Sequence, residues 1–229
     1  MIKKISIIVL LTILVFSLAS CKNVETTTTT TDNPTTTTTT DNPSTTTSSN
    51  NPQIVMHISN GKDMYFELYP EIAPITVANF LKLIDDNYYE DIVFHRIIEN
   101  FMIQAGGYKV EDYEDTGQKM LIQKLAKEKI TGEFSVNGIE NNIKHVPGVL
   151  SMARANDYNS GSTQFFICVS ESKHLDGNYA AFGMALDNES IENAIEISKI
   201  PTMSIVIGST PFDDFPQEAI YITSIERIN

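Results

Sequence analysis

The sequence predicts a mainly β domain over residues 54–229, a closed barrel or a sandwich carrying two helices, behind an N-terminal region that adds no core. Three observations predict it. Short β-rich segments recur at modest spacing through that stretch, with turn residues between them. Two segments, Pro74 to Ile84 and about Glu189 to Ser198, read as amphipathic helices between or after these strands. Residues 22–53 are threonine-rich and have too few apolar side chains to offset the entropy of ordering.

From the N-terminus, Met1-Ile2-Lys3-Lys4 is a short basic start, followed by an apolar run from Ile5 to Ala19. That run is shorter than the roughly 20 residues a membrane-spanning helix needs, so residues 1–20 read as a signal peptide. The run ends in Leu18-Ala19-Ser20-Cys21, which resembles the lipobox of bacterial lipoproteins. The resemblance implies that Cys21 carries lipid and becomes the first mature residue, anchoring the protein to a cell membrane on its extracytoplasmic side. The alternative is an ordinary secretory signal with a chance cysteine. Residues 21–53 then form a tether, with the unit Thr-Thr-Thr-Thr-Thr-Thr-Asp-Asn-Pro at 26–34 and again at 35–43. Fully extended, residues 22–53 reach at most about 105 Å.

The remaining residues, 54–229, suffice for one domain with a sizeable core. Thirteen Lys or Arg against 26 Asp or Glu leave this segment at −13. Such a balance argues against nucleic-acid binding, which needs clustered cations; the surplus acid reads as solvated surface. Ile54 to Ile58, the turn signal Asn60-Gly61, and alternating Met64, Phe66 and Leu68 predict a hairpin. Val77, Phe80, Leu81 and Ile84, with Pro74 ahead of them, predict an amphipathic helix. Strands are predicted at 92–97, 101–104, 148–153, 164–169 and 179–183. A second helix is predicted at about 189–198 with Ile191, Ala194 and Ile195 inward, and a final strand at 219–228. Cys168, within Phe165-Phe166-Ile167-Cys168-Val169, reads as a small buried apolar residue. His57 and His145 lack metal-type neighbours in sequence, and neither metal nor cofactor is expected.

The chemistry-bearing residues fall in two blocks. Phe94-His95-Arg96-Ile97-Ile98, Phe101-Met102 and Gln104 set one permanently charged fork beside an apolar pair and an amide. Gln164-Phe165-Phe166-Ile167 adds a second amide and aromatic. A prolyl peptide bond, half apolar ring and half amide, suits such a lining. With Ser151-Met152-Ala153, Leu175-Asp176-Gly177 and Phe182-Gly183 in the same order, the chain resembles the cyclophilin-type peptidyl-prolyl cis-trans isomerases. The resemblance implies a closed eight-stranded antiparallel barrel with a helix over each open end, acting as a monomer on proline-containing peptides and on unfolded or exported proteins. It places Arg96, Phe101 and Gln104 in catalysis. It gives Phe101, Met102, Phe166 and Leu175 to the proline pocket, Gln104 and Gln164 to the substrate backbone, and Ala153, Arg154 and Ala155 to main-chain pairing with the peptide. His95, alternating away from Arg96 on a strand, is assigned to structure.

Four departures stand out. Arg154 and Tyr179 replace residues that are often asparagine and histidine, and His174, counted with the substrate-binding set, stands where many members carry tryptophan. The charged segment 110–130, with Met120, Leu121 and Leu125 at helical spacing, replaces a glycine-rich loop. It reads as a short helix beside the groove or as a surface loop. Two other functions compete with the isomerase: a non-catalytic chaperone module that binds proline peptides, and a surface adhesin in which the stalk matters most.

Overall fold

The structure, a computed structural model, describes residues 50–113, 118–125, 127–207 and 210–228. The expected signal peptide, Cys21 and most of the tether lie outside the described residues.

The predicted hairpin is β1 (Gln53–Ile58) and β2 (Asp63–Leu68). Alternation puts Ile54, Met56 and Ile58 on the same buried face as Met64, Phe66 and Leu68. The predicted helix is α1 (Pro74–Asp85), which buries Val77, Phe80, Leu83 and Ile84. Phe80 meets Tyr89, Phe165 and Phe182 with ring centroids 5.0, 5.2 and 5.0 Å away. The residue before α1 is Ala73, which has no side chain to cap it. The orphan N–H groups are satisfied from a distance: the buried Glu133 carboxylate accepts from the Ile75 and Thr76 amides at 2.9 and 2.8 Å and from the Thr76 hydroxyl at 2.7 Å.

The chain continues through β3 (Ile92–Val93), β4 (Arg96–Ile98), β5 (Met102–Ala105), β6 (Tyr108–Tyr113), β7 (Gln118–Gln123), β8 (Val149–Met152), β9 (Phe165–Cys168) and β10 (Ala181–Ala185). Then come α2 (Asn188–Ser198), β11 (Thr202–Ile207), β12 (Thr210–Pro216) and β13 (Tyr221–Arg227). The Asp187 side chain caps α2 by accepting from the Ser190 amide at 2.7 Å. Ala194 and Ile197 are its most deeply buried apolar residues, whereas Ile191 and Ile195 are half-buried.

The protein is therefore mainly β with two helices. The expected closed eight-stranded ladder is not what the strands form. Eleven strands make one open antiparallel ladder, β4-β5-β9-β8-β10-β2-β1-β13-β3-β6-β7, and β11–β12 make a separate pair. The break falls at Phe94 and His95: before them β3 pairs with β13, after them β4 pairs with β5.

Two hairpins differ from the sequence reading. Much of 110–130 is the β6–β7 hairpin, neither helix nor loop, with Val110 opposite Leu121. The second is β11–β12, unpredicted although the β-branched run Ile205-Val206-Ile207 precedes Gly208-Ser209. Both fold onto one apolar cluster, where Val93, Tyr108 and Phe215 are joined by Val110, Leu121, Ile205 and Phe212. Leu125, counted in the helical spacing, is 86% exposed.

Replacing the distant cap, Glu133→Ala, strands buried N–H donors and is expected to cost about 2–3 kcal/mol in urea unfolding. Exposed Glu171→Ala is expected to stay within about 0.5 kcal/mol. Similar midpoints for the two variants contradict the capping role.

Candidate active site

Register builds the site. In the antiparallel ladder Arg96 lies opposite Gln104, Gln104 opposite Phe166, and Phe166 opposite Ser151. Directly opposed residues share a face, so four strands deliver one row of side chains to one side of the sheet. The intervening residues Ile97, Ile103, Ile167 and Leu150 point the other way, into the main core. Met102, two residues from Gln104, joins the site face and packs with Phe166, Cys168, Val149, Leu175 and Ala181 in a second buried cluster beneath the site.

The row opens into a cavity of about 150 Å³. Its apolar lining is Phe101, Met102, Phe166 and Leu175, and its polar rim is Arg96, Gln104, Arg154 and Tyr179, with Ala153 between. A neighbouring groove of about 330 Å³ shares Gln104, Ala153 and Arg154 and adds Ala155 and Gln164. Eleven of the twelve expected site residues in the described chain thus gather in two adjoining hollows. His174 lines neither; it is exposed and tilts against the Phe101 ring at 5.3 Å, supporting the wall from outside.

Gln104 donates to Gln164 Oε1 at 2.8 Å, which fixes both amides. The chain can pass this close because of Gly106-Gly107. Gly106 has a φ of +101°, and a Cβ there would overlap the Thr163 carbonyl oxygen.

Two polar features of the site escaped the sequence reading. Arg96 Nε contacts Asp214 Oδ2 at 3.3 Å, and Asp214 sits on β12, 118 positions later. A contact through Nε orients the guanidinium plane and leaves the two terminal nitrogens for a ligand. Arg154 is also held in place. Its guanidinium donates to the Asn178 carbonyl from Nε and Nη2 at 3.1 and 3.0 Å, and to the Ala155 carbonyl from Nη1 at 2.9 Å. It also lies 4.6–5.2 Å from the Tyr179, Tyr158 and Phe134 rings. Phe134 and Tyr179 lie 20 and 25 positions from Arg154, beyond any spacing rule.

Beneath Phe166, the His145 ring stacks at 6.1 Å and 20°. Its Nδ1 lies 3.1 Å from Asp176 Oδ1 and its Nε2 lies 3.0 Å from Ser151 Oγ, while its backbone N–H donates to the same Asp176 oxygen at 2.9 Å. The order Ser–His–Asp is that of a hydrolase triad. His145 and Ser151 are buried, however, so no substrate carbonyl reaches the hydroxyl. The three groups instead tie β8 to the segment bearing Leu175 and brace the pocket floor. Burial lowers the His145 pKa against the opposing pull of Asp176. Cys168 is buried below the site, and burial raises its thiol pKa to about 12.

His95 is buried at 3% exposure, with its ring 4.9 Å from Tyr108 and 6.1 Å from Phe212. Burial lowers its pKa to about 4; the Val93 backbone and the Gln164 side chain offset this only in part, and the nearby Arg96 charge adds to it.

The sequence model for the family described as cyclophilin type peptidyl-prolyl cis-trans isomerase/CLD matches residues 53–227. A peptidyl-prolyl cis-trans isomerase of Acinetobacter baylyi is 30% identical over 173 residues, covering 73% of this chain and 81% of that protein. A peptidyl-prolyl cis-trans isomerase-like 2 protein of Gibberella zeae is 33% identical over 170 residues; the match spans 70% of this chain but only 27% of that longer protein. A crystal structure of a cyclophilin type peptidyl-prolyl cis-trans isomerase from Cryptosporidium parvum superposes with a TM-score of 0.59 at 27% identity, over 78% of this chain and 98% of that one. A second crystal structure of that parasite protein was determined in the presence of the dipeptide Ala-Pro; it superposes with a TM-score of 0.56 at 28% identity, over 76% of this chain and 96% of that one.

The His95 shift has a definite sign. Its folded pKa, about 4, lies below the ordinary 6.5, so its contribution is complete above pH 6.5 and is lost as pH falls toward 4. About 3 kcal/mol of stability at pH 7 should be gone at pH 4, at 1.36 kcal/mol per pH unit. Urea unfolding of His95→Phe across this range should show a flatter dependence; a slope equal to that of the unaltered protein contradicts the assignment.

Proposed function

The chain belongs to the cyclophilin-type peptidyl-prolyl cis-trans isomerase family, and on that premise we propose that it isomerises X–Pro bonds in exported or surface proteins while tethered outside the cytoplasmic membrane. The observation that carries the catalytic part is one cavity lined by both Arg96 and the apolar set Phe101, Met102, Phe166 and Leu175. Isomerisation takes tens of seconds unaided because amide resonance must be broken. No nucleophile, metal or cofactor is required. Twisting the amide makes the prolyl nitrogen pyramidal and gives it a lone pair. A donor aimed there binds the transition state better than either ground state, which is the condition for acceleration.

In this reading the apolar four hold the proline ring and Arg96 donates to the prolyl nitrogen, its fork oriented by Asp214. Gln104 and Gln164 position the peptide backbone, and the main chain of Ala153–Ala155 pairs with residues flanking the proline. Arg154 acts through its backbone, and its anchored side chain keeps Tyr179 at the rim. The barrel reading rests on β3 and β4, which are separated by only two residues and would close a ring of eight strands if counted as one.

The location rests on the sequence alone: the Leu18-Ala19-Ser20-Cys21 pattern and the Thr-rich tether. Two lipid chains on one cysteine give stable anchoring where a single chain gives marginal binding. A purely binding chaperone or adhesin has no use for an oriented guanidinium in an apolar pocket, and this favours the enzyme.

In a protease-coupled prolyl peptide assay, Arg96→Ala is expected to lower kcat/KM about 100-fold or more, the scale for loss of one transition-state donor. Arg96→Lys should not restore it, because an ammonium lacks the planar fork. Equal rates for Arg96→Ala and the unaltered chain end the isomerase claim. Metabolic labelling with a fatty acid should mark the chain and fail to mark Cys21→Ser; label that persists in the variant removes Cys21 as the anchor.

A further inference from the structure

A second cavity, about 340 Å³, lies against the prolyl pocket and shares Arg96 and Gln104 with it. Its walls include the buried ring of His95, the rings of Tyr108 and Phe212, and the carboxylates of Asp213 and Asp214 on β12. This wall exists because the β11–β12 hairpin packs Phe212 and Phe215 onto Tyr108 and Val93. Between Lys199 and Arg227 the chain carries four acidic residues and no Lys or Arg.

We propose that this cavity is a subsite for a lysine or arginine side chain of the prolyl substrate, with Asp213 as its principal anion. The inference rests on the isomerase reading, since the two cavities share Arg96. Asp213 and Asp214 line the same cavity as Arg96, and Asp214 already pairs with that guanidinium through Nε. Asp213 is the surplus charge. Among the described residues, its Oδ1 accepts from the Ser204 hydroxyl, at 3.3 Å, and no lysine or arginine pairs with it.

A second, independent observation points to a ligand that can hydrogen-bond an imidazole nitrogen. His95 lines the cavity and is 97% buried, and its Nδ1 has no hydrogen-bond partner. A buried polar atom of this kind ordinarily has a partner. Burial keeps His95 neutral at pH 7, so one ring nitrogen is an acceptor. The π faces of Tyr108 and Phe212 also favour a cation over an anion. A long basic side chain fits this lining, with its stem along the rings and its head at Asp213. A glutamate would meet two carboxylates, and the one opposite charge, Arg96, is already paired with Asp214 through Nε.

The test uses the full chain and proline peptides in which lysine, norleucine or glutamate is placed in turn at each of the two positions on either side of proline. At low salt, one position should show kcat/KM higher for lysine than for glutamate by about fivefold, the scale of an exposed charge pair. Screening at about 0.5 M salt should shrink that ratio. Asp213→Asn should bring it toward one and Asp213→Lys should invert it. Circular dichroism confirms that both variants fold. Equal rates for the three peptides at every position overturn the proposal, as does a preference unchanged in both variants. If no peptide is turned over, the isomerase reading fails instead. The subsite is then read by NMR titration, where the lysine peptide should bind more tightly than the glutamate peptide and shift His95 and Phe212. Equal affinities there overturn it too.

Discussion

The register of β4, β5, β9 and β8 is the constraint on which the site depends. Side chains alternate along a strand, so one choice of register places Arg96, Gln104, Phe166 and Ser151 on one face and Ile97, Ile103, Ile167 and Leu150 on the other. A slip of one residue would send an arginine and a glutamine into the core and the isoleucines into the pocket. The penalty for burying an unpaired guanidinium forbids that arrangement. The energetics that build the core therefore also specify the site, with no separate device for it.

Polar groups finish what the register begins, and each is supplied from far away in the chain. Glu133 caps α1, Asp214 orients Arg96, and His145 links Ser151 to Asp176 behind Phe166. All three join segments that the β-ladder leaves independent. Glu133 and His145 sit in buried networks, which are rigid when satisfied and costly when broken, whereas the Arg96–Asp214 pair is part-exposed and directs the guanidinium; together they suit a pocket that must grip a proline ring while one flank of the peptide turns. His95 Nδ1 is the exception among these buried groups.

Much of this was legible in the sequence because it is local. The β1–β2 hairpin followed from period-2 alternation around Asn60-Gly61, and α1 from apolar residues at i, i+3, i+4 and i+7. The pocket residues followed from ordered motifs that resemble one family. The features that escaped are non-local or ambiguous in period. Leu121 suits a helix or a strand, and what decides is the partner surface of Val93 and Tyr108, which no window contains. Thr202–Pro216 is the exception, because a local cue exists there in the β-branched run Ile205-Val206-Ile207 followed by Gly208-Ser209. Asp214 is ordinary until β12 carries it to Arg96. The closed ladder, inferred from likeness to a family, meets in this chain a break at Phe94-His95.

The proposed geometry seats the proline ring on Phe101, Met102, Phe166 and Leu175 with an Arg96 N–H directed at the prolyl nitrogen. A crystal structure of this chain with a bound X-Pro peptide tests it. Ring carbons are expected within about 4 Å of those four side chains, an Arg96 terminal nitrogen about 3 Å from the prolyl nitrogen, and Asp214 still on Nε. A proline seated in the neighbouring groove beside Ala155, or a guanidinium turned wholly onto Asp214 and away from the peptide, would contradict it.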